Sequence, residues 1–336
     1  MTQLLLARFA QELFWLARYL ERAESLARIL DVQETFTRDR AGAKNWRSVV
    51  QINADEARFY AAYAEATPHN VVQFFVLDAD NPTSIRSAVR AARANARALR
   101  PLVSTESWMH LNVFNAWLGR LGPEDIALPN LSRLCARIKE SCQTQYGISE
   151  GTYFRDQGWL FYRLGKSIER ADQTTRLLDV KYNQLLTTEE QAGSPVDDSQ
   201  WNALLRSVAA YHAFRRVHPS GLSPELVVGF LLFNRAFPRS VLAATQDVHT
   251  LLNRLYSGFD LRQGAAALEH LDELLATLAD HSAERVVARG LHEFNDWLQR
   301  QLIDLTSEIG RAYFGLAPAA APASAGEPVS DQAQNA

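Results

Sequence analysis

The sequence predicts an all-α fold, an internally duplicated helical bundle with halves of about 1–155 and 156–315 related by a pseudo-twofold axis. Three observations lead there. Apolar residues recur at helical spacing along most of the 336 positions. Strand signals are few. And one thirteen-residue stretch is written twice: LERAESLARILDV at 20–32 and IERADQTTRLLDV at 168–180.

The elements follow in order. Leu13, Leu16, Ala17, Leu20, Ala23, Ala27 and Leu30 trace one apolar stripe, as one face of a long helix requires. VVQFFVLDA at 71–79 is short and apolar enough for a buried strand. Its later counterpart VVGFLLFNRA lies between helices, so helix is expected for both. Pro82 stops that segment, and Ser84 is placed to cap the Ala- and Arg-rich helix that follows. LPNLSRLCARIKESCQTQYG carries its own stripe, with Gly147 as the expected stop. TTEEQAGSPVDDS at 187–199 reads as a loop, and AAALEHLDELLATLADHS as a helix. The Ala/Pro/Ser-rich stretch 316–336 cannot bury a core and reads as a disordered tail, leaving 1–315 as a single helical domain.

The repeat extends beyond the first pair. Glu21/Glu169, Arg22/Arg170, Ala23/Ala171, Arg28/Arg176, Leu30/Leu178, Asp31/Asp179 and Val32/Val180 are identical. Val71/Val227, Val72/Val228, Phe74/Phe230, Pro82/Pro238 and Ser84/Ser240 follow in the same order, and Trp46 matches Trp201 between them. Chance explains one such match more easily than an ordered set. Two like halves would pack as a homodimer does, bringing equivalent helices together.

Composition narrows the function classes. Apolar residues make up 47%, enough for a sizeable core. A net charge of −3 gives no electrostatic case for nucleic acid or an anionic membrane. No apolar run approaches the roughly 20 residues of a membrane span, and the start is broken by Arg8 and Glu12, unlike a secretory signal. Cys135 and Cys142 sit two helical turns apart, too far to bridge; they read as buried small hydrophobes in a reducing cytoplasm.

The candidate site is the repeated Glu-Arg motif, Glu21, Arg22, Glu169 and Arg170. On a helix, Glu21, Glu24 and Arg28 share a face, as do Glu169, Asp172 and Arg176. The apolar neighbours imply burial, and a buried charge must be paired. Under pseudo-twofold symmetry Glu21 meets Arg170 while Arg22 meets Glu169, a reciprocal clamp. The alternatives are a polar pocket for a charged ligand or peptide end, and a solvated surface. Arg86, Arg90, Arg93 and Arg97 form a second stripe, which is either a solvated face or a cradle for carboxylate or phosphate, with Asn95 beside it. Arg239 stands where the first half has Thr83. No metal is expected, since neither Glu-x-x-His nor His-Glu-x-x-His is present, and no cofactor is implied, since no phosphate-binding glycine loop is present. Arginine next to each glutamate would keep both carboxylates ionised, a poor arrangement for acid–base chemistry.

WLARYLERAESLARILD, NPTSIRSAVRAARANAR, ESWMHLN, GWLFYRLGKSIERADQTTRLLDVKY and FPRSV together resemble the bacterial alpha-E family, over roughly 1–315. One departure is Ala94, where the family's pattern leads one to expect glutamate before Asn95. The resemblance implies a setting: proteins of this family commonly accompany a circularly permuted ATP-grasp protein and a transglutaminase-like cysteine protease. It therefore implies an accessory or binding component of peptide or amide-bond synthesis or processing. Glu21, Arg22, Glu169 and Arg170 are its motif positions, with Arg86, Arg90, Asn95 and Arg97 adjoining. The alternatives are an enzyme of that pathway that orients a carboxylate or amine, and a scaffold locked by its Glu-Arg pairs.

Overall fold

The computed structural model describes residues 5–38, 46–186 and 195–316. The helices are α1 (Ala7–Arg38), α2 (Arg47–Ile52), α3 (Glu56–Ala62), α4 (Pro68–Val72), α5 (Ile85–Ala98), α6 (Thr105–Gly119), α7 (Leu128–Thr152), α8 (Gln157–Leu186), α9 (Pro195–Ser207), α10 (Tyr211–Val217), α11 (Pro224–Phe233), α12 (Val241–Asn253), α13 (Ala265–Asp280), α14 (Ala283–Arg289) and α15 (Leu291–Phe314). No strand occurs among the described residues. The apolar run at 71–79 is helical as far as Leu77: α4 widens into a π-helical turn, Gln73–Leu77, whose Phe74, Phe75, Val76 and Leu77 are buried.

The two helices that carry the repeated motif form the centre. α1 lies along α8; α5 and α7 flank α1, while α12 and α15 flank α8. The long helices cross closely because small residues face each other. A Cβ on Gly165 of α8 would come within 2.1 Å of the Phe14 carbonyl oxygen of α1, and Ala17 and Ala23 are fully buried. Only a residue without a side chain fits at that point. The hydrophobic core runs without a break from α1 to α15.

Several helix starts are set by hydroxyl caps, which satisfy amides that have no partner in the first turn. Ser84 accepts from the Ser87 amide at 3.1 Å and Ser240 from the Ala243 amide at 3.1 Å. Each cap hydroxyl also donates to a carbonyl six residues back, Asp78 and Asn234. Asp78 and Asn234 in turn accept from the backbone amides of the turns they open, Asp78 from Asp80 and Asn81, Asn234 from Ala236 and Phe237. Thr67 and Ser223 cap α4 and α11, each followed by proline. Ala54 and Ala209, before α3 and α10, both adopt positive φ, 54° and 58°.

Two boundaries differ from the sequence reading. Gly147 does not end α7, which continues to Thr152. The helix's inward face carries on past that glycine with buried Ser149, so packing outweighs the roughly 1 kcal/mol helix penalty of one glycine. The segment expected as loop over 187–199 becomes helical from Pro195, which is allowed in a first turn. Positions 187–194 and the tail expected over 316–336, past Leu316, lie outside the described residues. Among the described residues no helix is long and apolar enough to cross a membrane. Cys135 and Cys142 are buried and unbridged, and burial raises both thiol pKa values.

Candidate functional site

Where α1 crosses α8, both motif glutamates are completely buried. Glu21 accepts from Arg170 Nε at 3.0 Å and Nη2 at 2.9 Å. Glu169 accepts from Arg22 Nε at 2.7 Å and Nη2 at 3.0 Å. The two forks are reciprocal, each helix giving one carboxylate and one guanidinium.

A second arginine completes each carboxylate, from a different source. Arg18, three residues before Glu21, reaches across to Glu169 Oε2 at 2.8 Å while its guanidinium lies over the Trp15 ring at 4.8 Å. Lys166 stands three residues before Glu169 in the matching register, yet makes no hydrogen bond or ion pair among the described residues. Glu21 takes Arg239 instead, Nη1 to Oε1 at 2.6 Å, from the turn before α12. Arg239 also bonds Glu24 at 3.0 Å. The turn is tied down by Thr174, whose hydroxyl donates to the Arg239 carbonyl at 2.9 Å. Tyr146 of α7 donates to Glu21 Oε2 at 3.0 Å.

The outer layer repeats the acid-before-base spacing. Arg28 grips Glu24 at 2.7 Å and Arg176 grips Asp172 at 2.8 Å. Glu21, Glu24, Glu169 and Asp172 thus face Arg18, Arg22, Arg28, Arg170, Arg176 and Arg239, so the cluster carries excess positive charge. Burial by itself would raise the Glu21 and Glu169 pKa values. Arg239 with Arg170, and Arg22 with Arg18, overcome it and hold both carboxylates well below their usual range.

The other expected residues lie outside this cluster. Arg86 donates to the Leu118 and Leu121 carbonyls at 3.0 and 2.8 Å, at the end of α6. Arg90 donates to the Ala79 carbonyl at 2.9 Å. Asn95 donates to the Glu12 carbonyl at 3.1 Å, joining α5 to α1. Arg97 is exposed. Their spacing puts them on one helix, but Arg86, Arg90 and Asn95 bond backbone carbonyls, and none of the four bonds a motif carboxylate among the described residues. No group of three or more potential metal ligands occurs among the described residues.

Beside the cluster opens a pocket of about 520 Å³, lined by Tyr146, Glu150, Arg163, Lys166, Arg170 and Asp247 among others. Sequence reasoning missed Arg18, Tyr146 and Lys166. A basic residue three before each motif glutamate was the available signal for two of them; Tyr146 had none.

An all-helical protein built round a buried, reciprocal Glu–Arg core is the class these features define. The chain belongs to the Alpha-E family, described as a predicted alpha-helical domain with a conserved ER motif, whose family model matches residues 5–314. It is similar to Uncharacterized protein Mb2597 of Mycobacterium bovis, 24% identical over 308 residues, covering 84% of this chain and 34% of that protein. Uncharacterized protein Rv2567 of Mycobacterium tuberculosis matches with the same identity and coverage. The chain therefore spans about a third of the length of these curated relatives. No solved structure matches it.

Proposed function

We propose that the chain is a binding or accessory component of an ATP-grasp-linked system for peptide or amide-bond synthesis or processing. One observation carries the division of labour within it. Both motif carboxylates have their oxygens occupied by guanidinium forks and are held ionised. Groups so engaged do not supply a titrating acid or base near neutral pH. The motif is then a clamp that fixes helix register, and ligand or partner recognition falls to the residues around it.

The clamp also favours the duplicated reading, with halves of about 1–155 and 156–315 in a single domain. In support stand the reciprocal forks, the like caps at Ser84 and Ser240, and the positive-φ alanines Ala54 and Ala209. The family setting supplies the partners: a circularly permuted ATP-grasp protein and a transglutaminase-like protease, in the cytoplasm.

Affinity capture of the intact chain from its native host, read by mass spectrometry, tests the partnership. Recovery of an ATP-grasp protein under gentle conditions supports it. A chain captured folded and abundant, with no such protein beside it, overturns it.

A further inference from the structure

We propose that the pocket beside the clamp is a binding site for a carboxylate at the end of a peptide-like ligand, with Lys166 as the cation that receives it. This deepens the binding role above and rests on the Glu–Arg cluster being fixed structure.

Lys166 is half-buried, and its ammonium lies 3.8 Å from the centre of the Tyr146 ring. A ring face attracts a cation but does not neutralise it. Every other charge on the pocket wall is already engaged. Arg163 donates to both oxygens of Asp247 at 3.1 Å, and Ser167 bonds the same carboxylate at 2.5 Å. Arg170 is held by Glu21, and Glu150 is paired with Arg155 at 3.1 Å. What remains is one ammonium that makes no hydrogen bond or ion pair among the described residues, in a partly desolvated cavity.

Arg239 produces this arrangement. Arg18, the residue in Lys166's register on α1, is used up on the opposite glutamate. Lys166 is spared that role because Arg239, standing where the first half has Thr83, fills the place on Glu21. Arg170 spends Nε and Nη2 on Glu21, which leaves Nη1 without a partner among the described residues. Arg163 uses only Nη2 on Asp247. The wall is thus rich in unused donors.

Donors in excess select an oxyanion, and Glu150 and Asp247 narrow the choice. Two carboxylates on the wall oppose a ligand of several negative charges, such as a nucleotide, by like-charge repulsion. They tolerate a single carboxylate, and they welcome an amine further along the same molecule. At about 520 Å³ the space suits a few residues rather than a single ion. Desolvation also depresses the Lys166 ammonium to about 8, a strain that an arriving carboxylate would relieve.

The probe is a tripeptide library with free C-terminal carboxylates, set against the same library amidated, with calorimetry on the full chain. The acid library should bind roughly tenfold or more tighter than the amide, the ratio one charge-assisted hydrogen bond supplies. Lys166→Met should lose that preference and Lys166→Arg should keep part of it. Because Lys166 is outside the clamp, Lys166→Met should melt no lower than wild type. Equal binding of acid and amide, binding of neither, unaltered preference in Lys166→Met, or displacement by inorganic phosphate as effective as by acid peptide each overturns the proposal. Capture of the ATP-grasp protein by the same variant separates the two readings: a lost peptide preference with the partner retained places the ligand, but not the ligase, at Lys166.

Discussion

Arg170 and Glu21 meet through two hydrogen bonds of 3.0 and 2.9 Å across a separation of 149 residues. The same fork, mirrored, joins Arg22 to Glu169. Burying four charges for this contact is costly, and apolar side chains of like volume would often hold two helices as well. What the forks add is direction: a carboxylate accepts a planar guanidinium in few geometries, so α1 and α8 are fixed in register.

Removing one partner should therefore cost more than the pair is worth. Arg170→Ala leaves Glu21 buried with only Arg239 and Tyr146, and Arg22→Ala leaves Glu169 with Arg18 and Gln173. Each should lose roughly 3 kcal/mol, read from urea midpoints. Midpoints within error of wild type would remove the clamp from the account of stability.

Acid should attack the same place. Both glutamates have folded pKa values below the unfolded 4.5. Their stabilisation is thus complete above about pH 5 and is lost progressively as pH falls from there toward the folded values. Glu21→Gln should be less stable at pH 7 and should show a shallower loss between pH 5 and 3. Parallel curves for wild type and variant would contradict this pH dependence.

Lys166 should titrate near 8, not near 10.5, with desolvation and the Arg170 charge as the causes. Its native form gives up a proton before the unfolded form does. The group therefore costs stability below pH 8, and stability relative to Lys166→Met should rise as pH climbs from 8 to 10.5. Heteronuclear NMR of the lysine side chain gives the titration directly.

The α1–α8 crossing offers a steric test. Gly165→Ala would press a methyl group against the Phe14 carbonyl. Overpacking of this kind costs about 1–3 kcal/mol, more than the roughly 1 kcal/mol that alanine gains over glycine in a helix. The net effect on the melting temperature should be a fall.

Cys135 and Cys142 should resist maleimide in the folded protein and react once urea unfolds it, since both are buried with raised thiol pKa values. Prompt labelling under native conditions would place them in a far more open interior.

The sequence by itself determined the helical class, the start of α5 at Ser84 and the letters of the clamp. A stripe such as Leu13, Leu16, Leu20, a cap such as Ser84 and a Glu-Arg pair repeated in register are local patterns, and local sterics and hydrogen bonding suffice to read them. The tertiary structure decided which cation reaches which carboxylate. Arg18 and Lys166 occupy the same position relative to their glutamates, yet Arg18 bonds a carboxylate while Lys166 bonds none among the described residues, because the turn before α12 delivers Arg239 to Glu21. The arginines of α5 likewise share a face by spacing, but the end of α6 claims Arg86 and the turn before α5 claims Arg90 for their carbonyls. Spacing along one helix fixes where a side chain starts; the approach of other helices and turns fixes what it meets.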